Sequence, residues 1–147
     1  MEIRFTVLGE PIPQGSKARN RFGGGVREDN PRTKPWRQAV AAEAIEAMDG
    51  RDLLTGPLEV HAVFYFNRAK GHFGTGKNAE ILKASAPLFH EKKPDVDKLQ
   101  RAIGDSLTGH VMRDDSQIVH WNVWKLYGAP RAEILVRRVQ PALAPDG

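Results

Sequence analysis

The sequence predicts an α/β fold: a small mixed sheet of about four strands carrying two main helices, in the order β-α-β-α-β-β. Three observations predict it. Stretches near residues 2–8 and 58–66 alternate apolar and polar side chains with period two. Stretches near 33–48 and 95–107 place apolar residues at three- and four-residue spacing. The chain, at 147 residues, is short for two domains and shows neither an internal repeat nor a dividing linker.

Ile3, Phe5 and Val7 alternate with Glu2, Arg4 and Thr6, the pattern of a half-buried strand. Gly9-Glu-Pro-Ile-Pro13 ends it, because two prolines bar simple continuation. Residues 14–28, QGSKARNRFGGGVRE, are glycine-rich, basic and poor in apolar side chains, and read as a long loop. A helix follows from about Thr33 to Met48, with Thr33 as its cap, Pro35 in its first turn and Gly50 at its close. Its apolar face is Trp36, Ala39, Val40, Ala44, Ala47 and Met48. Leu58, Val60, Ala62, Phe64 and Phe66 form a second strand. Arg68–Lys93 is a second basic stretch, with one helical turn expected near Ala79–Lys83. Behind Pro94 the second helix runs from about Asp95 to Leu107, burying Val96, Leu99, Ala102, Ile103 and Leu107. Ser116–Tyr127 and Arg131–Val139 are the last strands, joined by Gly128-Ala129-Pro130. One domain therefore spans 1–147, with basic loops near 9–34 and 67–93 and a frayed tail at 140–147.

Composition narrows the function. No apolar run approaches the roughly 20 residues needed to span a bilayer, and MEIRFTVLGEP is too short and charged for a signal peptide, so no membrane partner is expected. Cysteine is absent, which removes disulfides, thiolate metal sites and a cysteine nucleophile, and suits a reducing cytoplasm. The net charge is +4, but it is unevenly spread. Residues 9–37 carry +4, residues 67–93 carry another +4, and the remainder carries −4. Basic loops on an acidic body point to a polyanionic partner, although solvated surface loops would look the same.

The most informative segment is KKPDVDKLQRAIGDSLTG followed by HVMRDDSQIV. Asp95, Asp97, Asp105, Asp114 and Asp115 fall within 21 residues of one another, beside the basic stretches. Clustered carboxylates repel phosphate, and a divalent cation removes that contradiction: Mg²⁺ takes oxygen ligands from one or two carboxylates together with substrate phosphate. An extended Asp95 would project to the same side as Asp97. Asp97, Arg101 and Asp105 then share one helix face at four-residue spacing. Asp114 and Asp115 enter a strand on opposite sides, so one of the two joins the site. Each acid also has a structural use: Asp95 as an N-cap, Asp97 as a helix-dipole partner paired with Arg101, and Asp114-Asp115 as a turn.

KPDVDKLQRAIGDSLTG, a short gap and DDSQIV together resemble the signature of the RusA-like Holliday junction resolvases, small DNA endonucleases of bacteria and their phages. The resemblance is most specific over Lys93–Val119 and continues through GEPIPQGSKAR and KPWRQAV. It implies a RusA-like mixed α/β fold, a homodimer, a cytoplasmic location in a bacterial cell or phage-infected host, and Mg²⁺-dependent resolution of branched DNA by paired nicks in recombination and repair. Mn²⁺ is expected to substitute. Carried over by position, the catalytic, metal-holding carboxylates are Asp95, Asp97 and Asp115. The family's usual lysine falls at Arg101, whose fork holds phosphate but does not readily give up a proton. Lys98 stands where asparagine is common. Asp105 and Asp114 are expected to support the site from behind, with Asp105 as an alternative helix-face partner of Arg101. Lys17, Arg19, Arg21, Lys92 and Lys93 are the expected DNA-backbone contacts.

Other features compete less well. GHFGTGKN (residues 71–78) nearly spells a phosphate-binding loop, but Asn78 occupies the position of the Mg²⁺-binding hydroxyl, so no nucleotide cofactor is expected. Phe22 and Phe73 are candidate wedges at a junction centre. The five histidines lack metal-ligand spacing, and Trp36, Trp121 and Trp124 lie in periodic elements that suit core or dimer contacts. The alternatives to a resolvase are a non-catalytic basic DNA-binding protein and a broader fork or flap nuclease.

Overall fold

The computed structural model describes residues 2–15, 17–19, 26–28 and 30–146, with the side chains of 17–19 and 26–28 left aside. Strand β1 (Glu2–Leu8) is followed by a short hairpin, β2 (Lys17–Arg19) and β3 (Val26–Glu28), and by helix α1 (Thr33–Met48). Next come β4 (Leu58–Phe66), helix α2 (Val96–Leu107), β5 (Ile118–Tyr127) and β6 (Arg131–Arg138). The main sheet has the order β1-β6-β4-β5. β6 pairs antiparallel with both β1 and β4, while β4 and β5 are parallel. The mixed α/β architecture expected from the sequence is thus observed, with the β2–β3 pair added as a separate antiparallel ladder. Three-residue strands carry too little alternation to stand out from a glycine-rich loop.

Parallel neighbours cannot be joined by a tight turn and need a crossover. Residues 67–117 supply it, and they contain α2. Both helices cover one face of the sheet. Leu58, Val60, Ala62, Phe64 and Phe66 of central β4 are each at most 4% exposed and pack with Leu99, Ile103 and Leu107 of α2 and Val40 and Ala44 of α1. Val96 departs from the expected stripe: it is 37% exposed, because the first residue of α2 lies beyond the edge of the core. Thr33 is buried but does not cap α1. Its hydroxyl donates to Pro13 O at 3.0 Å and so pins the segment after β1, while Arg32 occupies the cap position. α1 closes through Asp49 in the left-handed region, followed by Gly50 at φ +73°.

The basic stretch 67–93 is tied down. Single 3₁₀ turns lie at Lys70–His72 and Gly76–Asn78, in place of the turn expected at Ala79–Lys83. A bridge between Phe73 and Leu82 folds the segment back on itself, and Phe73 is half-buried there. Arg68 donates to Pro87 O at 2.7 Å and lies over the Tyr127 ring. His90 stacks on Phe66, and burial lowers its pKa below the usual imidazole range. The tail carries a 3₁₀ turn at Pro141–Leu143, exposed throughout.

Among the described residues the opposite face of the sheet carries no helix. There Glu59, only 4% exposed, accepts from Arg137 Nε and stands 3.1 Å from His120 Nδ1 and 3.5 Å from His61 Nε2. The Arg137 hydrogen bond leads in holding its pKa at about 2, against an ordinary 4.5. A depressed carboxyl pKa gives stability that is complete above the ordinary value and is lost as pH falls towards the folded one. Glu59→Gln is therefore expected to lower Tm at pH 7 by about 5 °C, with the deficit shrinking between pH 4.5 and 2 in thermal melts.

Candidate active site

The acidic segment is built by two local devices. At the start of α2, Asp95 is extended (φ −73°, ψ 147°) and its carbonyl accepts from Leu99 N at 3.1 Å, closing the first helical turn. Its carboxylate makes no capping bond, so the N-cap position does not consume the side chain. Asp97 sits in the first turn, where the helix dipole favours a negative charge.

The second device is the D-D-S-Q run. Residues 115–117 form a 3₁₀ turn, where the sequence suggested the beginning of a strand. Asp114 caps it, accepting from Ser116 N at 2.9 Å. The Gln117 side-chain carbonyl accepts from Arg113 N and Asp114 N, and its amide donates to Leu54 O and Gly56 O. Competition for the backbone N–H groups ahead of the strand makes the turn. Asp114 and Gln117 are thereby committed to the backbone, and Asp115 is delivered towards α2.

Asp97, Gln100, Arg101, Gly104, Asp115 and Trp121 line one cleft of about 190 Å³. Gly104 is what admits Asp115: a Cβ there would lie 3.2 Å from Asp115 Oδ2 and 3.6 Å from its Cβ. Burial raises the Asp115 pKa, helped by the Asp114 side chain and the charge of Asp105. Asp114 is lowered, chiefly by its bond from Ser116 N. Asp95 opens onto a separate depression shared with Lys93, Pro94, Lys98 and the Pro11–Pro13 segment. Among the described residues no three acid or imidazole side chains stand ready to share one ion, so the structure joins Asp97 to Asp115 and leaves Asp95 one step aside. The donor set nevertheless fits a hard divalent cation. It is all carboxylate oxygen, and Asp115, exposed as a residue but with a partly desolvated carboxyl, stands near the charges of Asp105 and Asp114, whose repulsion a cation would offset.

A family model described as Endodeoxyribonuclease RusA matches residues 9–137. The chain belongs to the RusA endodeoxyribonuclease family. The match takes in both devices of this RusA-family site, the α2 start and the D-D-S-Q turn. The chain is also 34% identical over 140 residues to the uncharacterized protein YqaN of Bacillus subtilis (strain 168), covering 93% of this chain and 96% of that one.

Other predicted residues sort as follows. Asp105 lies on the same α2 face, but among the described residues its partners are Gln14 Nε2, which donates to it, and Arg37 at 3.9 Å, rather than Arg101. Arg37 also donates to Gln14 Oε1 at 2.9 Å, and Gln14 N donates to Lys98 O at 3.0 Å. The segment after β1 is therefore stitched onto α2. Lys92 and Lys93 are exposed on the chain leading into α2. Lys17 and Arg19 lie in β2 with their side chains outside the described residues, as are Arg21 and Phe22 entirely. Trp121 lines the cleft beside the core, whereas Trp124 is 52% exposed and stacks with Phe89. Among the described residues, no helix is long and apolar enough to cross a membrane.

Gln14, Arg37, Gly104 and Lys125 were not candidates from sequence. The first two act across gaps that local patterning does not register. Gly104→Ala tests the site directly. Alanine favours the helix by about 1 kcal/mol but crowds Asp115, so Tm is expected to stay within about 3 °C while DNA cleavage falls about 10- to 100-fold. Melting and single-turnover nicking on the same preparation check it.

Proposed function

We propose that this RusA-family protein is a Mg²⁺-dependent, structure-selective endonuclease that resolves four-way DNA junctions by paired symmetric nicks, acting as a homodimer. The observation that carries the reading is the convergence of Asp97, Arg101 and Asp115 in one cleft, with Asp95 two residues ahead of Asp97 and lining a separate depression. Asp95, Asp97 and Asp115 would hold the cation, Mg²⁺ or Mn²⁺. When bound, such a cation lowers the pKa of a coordinated water and offsets charge on the phosphoryl oxygens.

The chain's own groups do the rest. Arg101 donates to the phosphoryl oxygens as negative charge builds, which a permanently charged guanidinium does without exchanging a proton. Gly104 keeps the cleft open for Asp115. Asp105, held by Gln14 and Arg37, adds a fixed negative charge behind Asp115 and makes cation binding there more favourable. Lys17, Arg19, Arg21, Lys92 and Lys93 would hold the DNA backbone, giving affinity that falls with salt and carries little sequence preference. Two sites related by a twofold axis would meet two strands of a near-symmetric junction, which is the reason for expecting a dimer.

Purified protein incubated with a synthetic four-way junction, a fork and a linear duplex tests this. With Mg²⁺ the wild type should nick opposed strands of the junction and spare the duplex, and EDTA should abolish cutting. Asp97→Asn should bind the junction and leave it intact, and Arg101→Ala should cut about 100-fold more slowly. Metal-independent binding without cutting would instead identify a DNA-binding protein, and equal cutting of forks a broader nuclease. Retained nicking by Asp97→Asn would refute the metal role.

A further inference from the structure

We propose that Lys125 is a positioning residue of the active cleft: its ammonium grips the backbone that leads into α2 and thereby fixes where Asp95 points. The inference rests on the nuclease reading above and adds to it a residue from a different element.

Lys125 stands on the wrong face of β5 for a cation. The parallel register sets Trp121, Val123, Lys125 and Tyr127 opposite Val60, Ala62, Phe64 and Phe66, the row that faces the helices. A lysine in that row loses hydration and needs partners in return. It has them: Nζ donates to Lys92 O at 2.5 Å and to Pro94 O at 2.7 Å. Burial lowers the Lys125 pKa, and the charge of Asp95 acts in the opposite direction, which places that carboxylate within electrostatic reach of the ammonium.

Both carbonyls lie just ahead of Asp95, and that of Pro94 belongs to the peptide bond that joins it to Asp95. Because Asp95 is extended and makes no capping bond, its side-chain direction is set by the backbone that enters it. That backbone is anchored twice to the same end of β5. His90 N donates to Lys125 O at 3.0 Å, beside a bridge between Phe89 and Leu126, and the Lys125 side chain takes the next residues along. The main chain of β5 thus holds residues 89–90, and the Lys125 ammonium holds 92–94. A compact ammonium with three donors serves two carbonyls and still leaves one N–H for the Asp95 side.

Lys125→Met and Lys125→Gln, two neutral variants, test the role, with Mn²⁺ as the probe. Free Mn²⁺ is titrated by electron paramagnetic resonance, metal-free junction binding is measured by gel shift, and nicking by single turnover. Mn²⁺ affinity is expected to drop about 10- to 100-fold in Lys125→Met, with junction Kd within about twofold of wild type and a slower nicking step. Exchange of the Leu99 amide, which donates to Asp95 O, should quicken in the metal-free variant. Lys125→Gln, with a shorter donor, should fall between Met and wild type. Wild-type Mn²⁺ affinity in either folded variant overturns the proposal. So does failure of both to fold, which would make Lys125 a support of the whole domain. A wild type that binds no Mn²⁺, or an Asp97→Asn that binds it as well as wild type, instead overturns the metal reading itself, and the wild-type and Asp97→Asn titrations reveal that whatever the Lys125 variants do.

Discussion

The parallel pairing of β4 with β5 is the constraint from which the site follows. Parallel strands run the same way, so the chain must return across a face of the sheet between them. Here the return holds α2, and it must begin beyond one end of the pair and finish at the other. Its beginning brings the chain just ahead of Asp95 to the far end of β5, where Lys125 donates to the Pro94 carbonyl. Its finish is the turn that carries Asp115. Acids close in sequence are therefore held by different parts of one crossover, and the cleft is the gap between α2 and the turn that follows it.

Much of this was legible in the order of residues. Period-two alternation marked β1, β4 and β6, and the bounds read for α1 and β4 coincide with those observed, because long runs of buried aliphatic side chains dominate there. The helix carrying the acids was also legible, since Leu99, Ala102, Ile103 and Leu107 fall at helical spacing. At Asp114–Gln117 the sequence left strand and turn both open, with the strand read from Ser116, because the apolar run behind it masked a side-chain competition for backbone donors. The Gln14–Asp105–Arg37 contact was illegible for a different reason: it joins residues 91 positions apart, and no local periodicity encodes such a meeting. Lys125 did leave a sign. A cation on the inward row of an otherwise apolar strand breaks the pattern, and such breaks gather where function imposes a cost.

The electrostatics of the cleft are graded. Asp105 is compensated by Arg37 and Gln14, and Asp114 by the backbone N–H groups it caps. Asp115 is left partly desolvated and opposed by like charges, with its carboxyl raised accordingly. The unfavourable charge is thus concentrated at the residue that shares the cleft with Asp97. On the far side of the sheet, the buried Glu59 is held in the opposite condition, well supplied with hydrogen-bond donors led by Arg137 and strongly acidic. The chain therefore carries an electrostatically satisfied carboxylate on the uncovered face of the sheet and an unsatisfied one in the turn ahead of β5.

The pairing of residues 89–90 with the end of β5 has a consequence for solubility. β5 is an outer strand, and an outer strand with unused peptide groups can template another chain. The His90 amide and the Phe89–Leu126 bridge occupy peptide groups at Lys125–Leu126, in the more aromatic half of the strand. The segment that leads into α2 is therefore also a guard against edge-to-edge growth, and loosening it would expose an adhesive margin.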